Sequence, residues 1–187
     1  FTWDWKINSS SAMSLQLFRN DIKNLIESQQ VGTYISGAQI FSYLNIGRAF
    51  TTGFELEGQH RFNANWSING GYQYLRTGDK DQIEAIKSGT VYTKNNQGFS
   101  RLMKLNEYVG LPNASTHKLQ VKLNYDSPKG YYLNVRAIYR SRWAVNNNNG
   151  NEVFDDGDVF ASGYVALNSA AGKTFENGIS FQVGIDN

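Results

Sequence analysis

With 187 residues the chain is long enough for one domain with a sizeable core, or for part of a larger one. A net charge of +2 is too balanced to argue for nucleic acid, and zero cysteines exclude a disulfide framework, thiolate metal sites and thiol catalysis. Apolar runs never exceed four residues (Tyr164 to Leu167), which excludes a transmembrane helix, and no signal peptide is visible; membrane residence, if any, has to come from strands.

Eight candidate strands follow in chain order. Phe1 to Ile7 sets Phe1, Trp3, Trp5 and Ile7 against Thr2, Asp4 and Lys6, the period-two alternation of a strand with one apolar and one wet face. The second runs roughly from Ala12 to Gln30, and its alternation slips near Phe18. The third, near Phe41 to Phe62, ends with Phe54, Leu56 and Phe62 opposing Glu55, Glu57, Gln59 and Arg61. The fourth, Trp66 to Arg76, places Trp66, Ile68, Tyr72 and Tyr74 on one side and Ser67, Asn69, Gly71 and Gln73 on the other. Lys118 to Tyr125 alternates without a fault. Tyr131 to Trp143 opposes Leu133, Val135, Ala137 and Tyr139 to Asn134, Arg136, Arg140 and Arg142. The last pair is Tyr164 to Phe175 and Ile179 to Asp186.

The connections have a regularity of their own. Short turns rich in Asn, Gly, Pro and Ser (Asn8–Ser11, Asn63–Asn65, Ser127–Gly130, Glu176–Gly178) alternate with longer links near 31–40, 78–116 and 146–163. Short on one side and long on the other is how outer-membrane barrels are built. DQIEAIKSG in the middle link predicts a short helix, and the length of that link marks a functional loop. The wet face mixes Asn, Gln, Ser, Arg and Glu as a hydrated lumen does. Trp3, Trp66, Tyr139 and Trp143 stand near strand ends, where aromatic girdles belong. The expected fold is all-β: an antiparallel up-and-down meander of about eight strands, part of a larger transmembrane barrel. Period two alone does not separate lipid from a protein core, so a soluble secreted β-sheet binding module stays open.

The stretch NIGRAFTTGFELEGQHRFNANWSINGGYQYL, with LFRNDIKNLIE before it and GISFQVGIDN at the end, resembles the C-terminal barrel of TonB-dependent outer-membrane receptors. The family's strand form N-x-x-x-A-x-T-x-G-x-E is matched by Asn45, Ala49, Thr51, Gly53 and Glu55. The resemblance covers essentially the whole chain, through loose motifs. It implies that residues 1–187 are a fragment of the barrel domain, with the plug, the TonB-binding segment and the final strand outside it. It further implies a transporter in the outer membrane of a Gram-negative bacterium. Its partners would be outer-membrane lipid, the plug of the full-length chain, the TonB complex and a small nutrient such as an iron chelate, haem, cobalamin or glycan.

No cofactor, metal site or catalytic group is expected. His60 and His117 are the only histidines and sit at opposite strand ends. His117, on the loop side, is the better of the two for haem, or for the base of a less favoured outer-membrane hydrolase, but an ordinary surface role suits both. Glu55, Glu57 and Arg61 on one strand, and Arg136, Arg140 and Arg142 on another, are expected to face the lumen or the plug. The loop aromatics Tyr92, Phe99, Tyr108, Trp143 and Phe154 are the expected ligand contacts, with packing of loop on loop as their other use. Asn146 to Asp158 gathers amides and carboxylates without the spacing of an EF-hand, and reads as a solvated loop.

Overall fold

The computed structural model describes residues 1–94, 98–147, 153–155 and 158–187, leaving aside the side chains at 27, 29–33, 39 and 44. Eight strands form one antiparallel sheet in meander order: β1 (Thr2–Lys6), β2 (Ser11–Thr33), β3 (Gln39–Arg61), β4 (Trp66–Asp79), β7 (His117–Asp126), β8 (Tyr131–Arg140), β11 (Tyr164–Thr174) and β12 (Ser180–Ile185). The long link after β4 holds α1 (Lys80–Lys87), the hairpin of β5 (Tyr92–Lys94) and β6 (Ser100–Leu102), and a 3-10 turn (Leu105–Glu107). The link after β8 holds the hairpin of β9 (Trp143–Asn146) and β10 (Val159–Ala161).

The register carries the sequence alternation across the sheet without a slip in its lower half. Trp3 faces Leu15, Leu15 faces Leu56, Leu56 faces Tyr72, Tyr72 faces Leu119, and Leu119 faces Tyr139. One row lower, Val121 meets Ala137, which meets Leu167. A one-residue slip anywhere would have turned this set to the other side. Trp66 to Tyr74, His117 to Tyr125 and Tyr131 to Tyr139 each run nine residues from one ring to the next. That is about 26 Å of strand and falls within the ~9–11 residues that span a bilayer.

No described residue forms a second layer over the apolar face: Leu167 and Val183 stay 57% and 73% exposed. A protein core would have covered them; an apolar surface of this extent needs lipid or another protein. Among the described residues this sheet therefore lacks the packed core that a soluble β-sheet binding module would have. The opposite face encloses a groove of about 860 Å³, whose lining includes the polar and charged residues Asp4, Glu57, Gln59, Arg61, Asn69 and Gln120. Only a concave surface encloses space, so the sheet curls with its wet face inside.

Two expectations about length are corrected. The first long link is a loop only over 34–38, because β2 and β3 stay paired to Thr33 and Gln39 and rise together beyond the sheet. The sixth strand stops at Arg140, since its partner β11 begins at Tyr164 and the chain turns away into β9.

Candidate functional site

The four short turns lie at one end of the sheet and the long links at the other, where they build a cap. Asp79 ends β4 and caps α1, its carboxylate accepting from the backbone N–H groups of Asp81 at 2.8 Å and Gln82 at 3.5 Å. Arg48, on the rising part of β3, donates to Asp81 (Nε at 2.8 Å) and to Glu84 at 2.7 Å, and Lys80 reaches Asp21 on β2 at 2.6 Å. Arg19 also donates to Asp21, at 3.0 Å. Arg19 first and Lys80 second hold the Asp21 carboxyl well below its ordinary range. These pairs tie the helix to the tall β2–β3 hairpin.

The rest of the link folds inward over the concave side of β4. The Leu111 N–H donates to Thr77 Oγ1 at 2.9 Å, and the Asp79 N–H donates to the Tyr108 hydroxyl at 2.8 Å. Gly110, at φ +103°, comes so close to Thr77 that a Cβ there would lie 2.7 Å from its carbonyl oxygen; only glycine combines this φ with this approach. The two long links are sewn together, Val109 donating to Phe154 O at 3.1 Å and Asn113 to Ala144 O at 2.8 Å. Ile86, Met103 and Val153 form a small core between them, with Val91 and Tyr108 against it. Arg101 grips Glu107 with Nη1 at 2.9 Å and Nη2 at 2.6 Å. That grip, with the Lys104 N–H, lowers the Glu107 carboxyl to about 2, and burial pushes the Tyr108 phenol up to about 12.

The expected ligand aromatics separate into two groups. Tyr92 and Phe99 are exposed on the β5–β6 side of the cap, Phe99 at 68%. Phe154 is a correction, being buried at 6% where the two links meet. Tyr108 is half-buried with its hydroxyl occupied, so it too packs loop on loop. Trp143 lies beneath the Arg140 guanidinium at 3.7 Å and edge-on to Tyr164. In the acidic loop expected to be solvated, residues 148–152 and 156–157 lie outside the described residues. Val153, Phe154 and Asp155 are buried, which corrects that reading for them.

The charged inner wall is arranged as the alternation requires, with one exception. Glu55 accepts from Gln73 Nε2 at 2.5 Å, Glu57 and Arg61 line the concave groove, and Arg136 donates to Gln120 at 2.9 Å. Arg140 donates to Ser115 Oγ at 2.5 Å and to Asn113 O at 3.1 Å, anchoring the cap to the wall. Arg142 is the exception: β8 has ended, and its guanidinium lies over Phe160 at 4.6 Å instead of on the wall.

Both histidines point to the convex, apolar side. His60 pairs with Ser11 Oγ at 2.7 Å near the short turns, and His117 with the Tyr72 hydroxyl at 2.7 Å at the other end. The side chain of His117 therefore stands away from the concave face, against its use for haem or as a hydrolytic base.

Membership is decided by a family model. The model described as TonB dependent receptor-like, beta-barrel matches residues 1–187. The chain belongs to the TonB-dependent receptor family.

No curated protein sequence matches the chain. Among solved structures, the siderophore receptor PiuA from Acinetobacter baumannii aligns with 99% of this chain and 22% of its own length, at 17% identity and a TM-score of 0.59. The ferric yersiniabactin uptake receptor FyuA from Yersinia pestis aligns with 100% and 24%, at 16% identity and 0.62. The copper transporter OprC aligns with 100% and 24%, at 13% identity and 0.64. The chain thus spans about a quarter of the solved structures it matches, and at these identities the likeness is one of fold.

In a barrel of this outer-membrane family the convex side meets lipid, the concave side is the lumen, and the long links form the outer cap. The motif Asn45, Ala49, Thr51, Gly53 and Glu55 acquires a physical reading in the receptor barrel. Ala49, Thr51, Gly53 and Glu55 alternate onto the lumen side of β3. Ala49 is 1% exposed, Thr51 accepts from Asn20 at 3.1 Å, and Gly53 lies under the Phe18 ring. Phe18 is where the alternation slips in sequence; the ring is spent on covering a glycine of the lumen wall. What the sequence did not yield is the inward course of 103–116. Gly110 and the Thr77 opposite it were the available signal, since a glycine closing on a buried threonine marks a backbone approach.

Proposed function

We propose that residues 1–187 form a wall section of the C-terminal barrel domain of a longer receptor in the outer membrane of a Gram-negative bacterium. The lumen of that barrel would hold the plug of the same chain. The function proposed is energised uptake of a scarce small nutrient, captured outside and released inward when the TonB complex acts on the plug. No bond is made or broken in such a cycle, so the reading is a transporter and not an enzyme. The observation that supports it best is the union of a polar lumen wall with a folded outer cap that leaves Tyr92 and Phe99 on its surface. Exposed rings suit planar chelates, haem, cobalamin or sugars. The structural neighbours are named for siderophores, ferric yersiniabactin and copper, which favours an iron or other metal chelate over a glycan.

The test is uptake by the full-length receptor in an outer-membrane host deprived of its own receptors. Growth on one ferric chelate should require an intact TonB system, and Tyr92→Ala with Phe99→Ala should raise the half-saturating chelate concentration about thirtyfold, since each ring contributes on the order of 1 kcal/mol. TonB-independent growth, or failure to grow on every chelate, haem, cobalamin and glycan offered, contradicts the reading.

A further inference from the structure

The lumen face carries its charge unevenly. On β1 and β3 both signs occur, Asp4, Glu55 and Glu57 beside Lys6 and Arg61, whereas β7 and β8 oppose cation to cation. Lys118 stands directly across from Arg140, and Lys122 from Arg136. Like charges facing each other in an antiparallel pair are destabilising unless something else compensates them. The neighbours on the flanking strands are Gln73 beside Lys118, Asn69 beside Lys122, Asn168 beside Arg136 and Tyr164 beside Arg140. None of these is acidic, and among the described residues none of the four cations makes an ion pair.

Lys122 and Arg136 also border a depression of about 200 Å³, shared with Asn69, Gln120 and Val121. The hydrogen bonds around it turn it mainly toward donation. Gln120 Oε1 already accepts from Arg136 Nη2 at 2.9 Å, and Asn69 Oδ1 from Asn124 Nδ2 at 3.4 Å. The NH2 groups of both amides remain as donors, beside an ammonium and the rest of a guanidinium fork. A pocket with two cations, spare amide donors and no carboxylate in its lining fits an oxyanion.

We propose that Asn69, Gln120, Lys122 and Arg136 form an oxyanion site on the lumen wall. It would receive a carboxylate or phosphate group of a solute passing from the outer cap, with Arg140 and Lys118 above it as the first cations met. The inference rests on the uptake reading for its solute, and on the pocket alone for its chemistry.

The experiment uses the purified full-length receptor, with citrate and inorganic phosphate as probes and glycerol as the uncharged control, followed by calorimetric titration at low and at 0.3 M salt. Binding of either anion, weakened by salt and absent with glycerol, is expected. Lys122→Gln with Arg136→Gln should weaken it about tenfold or more, because two charge-assisted partners are lost. Lys122→Arg should retain most of it, and the milder Gln120→Ala should weaken it severalfold, which guards against a folding defect in the double variant. Equal affinity in wild type and double variant overturns the site. So does absence of anion binding in the wild type, including the case where the double variant melts earlier because the cations hold a carboxylate of the protein's own lumen-filling segment. Uptake is scored separately: receptors that bind anions but transport nothing would sink the transport reading and leave the site standing.

Discussion

Gly53 and Val135 show how single positions on this wall carry different physical demands. A Cβ at Gly53 would lie 1.9 Å from the Tyr74 carbonyl oxygen and 3.1 Å from the Phe18 ring, so both strand backbone and ring would have to yield. Gly53→Val should therefore destabilise the folded receptor by about 1–3 kcal/mol, read as a lower unfolding midpoint in detergent; an unchanged midpoint would mean that β3 and β4 are not paired as described. Val135 and Asn134 are neighbours on β8 with opposite duties. Val135→Arg places a charge near the middle of the lipid band and should cost about 2–4 kcal/mol in refolding into vesicles, whereas Asn134→Arg, on the lumen side, should cost well under half of that. Equal costs at the two positions would remove the distinction between the faces.

At the scale of elements, the outer cap is held by charge as well as by its small core. Glu107 has its carboxyl lowered to about 2 from an ordinary 4.5, with Arg101 as the main cause. A carboxyl lowered by folding contributes stability that is fully present above its unfolded value and is lost as pH falls through the folded one. The 3-10 turn and β6 should accordingly keep their hydrogen-exchange protection at pH 5 and lose it progressively between about 4.5 and 2. Glu107→Gln should show the weakened protection already at pH 5; protection unaffected by either change would contradict the role given to the pair. Much of this scale was legible in the sequence, and the part that was not has a physical cause. The sheet strands and short turns are local patterns: alternation from Lys118 to Tyr125, a four-residue turn at Ser127–Gly130, helix-forming residues after Asp79. The height of the β2–β3 hairpin was legible as well, since candidate strands from Ala12 to Gln30 and from Phe41 to Phe62 run well past what a bilayer needs; only the link between them proved shorter than 31–40. The burial of Phe154 and the departure of Arg142 from the wall were missed because they depend on contacts between segments far apart in the chain, such as Leu111 with Thr77 and Val109 with Phe154. Such contacts leave no periodic trace.

For the whole molecule, one sheet separates two solvents. Its convex rows, from Trp3 through Leu56, Leu119 and Val121 to Leu167, are apolar and uncovered, and its concave rows are polar and enclose the groove. Curvature and pattern agree, as a barrel wall in a bilayer requires. Open edges at β1 and β12 belong to the same picture, because a wall section shows its neighbours unpaired backbone. Residues 1–187 expressed alone should therefore self-associate or aggregate in dilute detergent, and a lasting monomer at high concentration would argue against a barrel section.

The measurement that tests this account most directly is a cysteine scan of β7, from Lys118 to Tyr125, in a cysteine-free background of the full-length receptor reconstituted in vesicles. Each cysteine would be probed with a water-soluble maleimide and, as a spin label, with a lipid-confined relaxant. The account predicts strict alternation: positions 118, 120, 122 and 124 reached from water, positions 119, 121 and 123 reached from lipid. Loss of the period-two pattern, or water access at 119, 121 and 123, would contradict it.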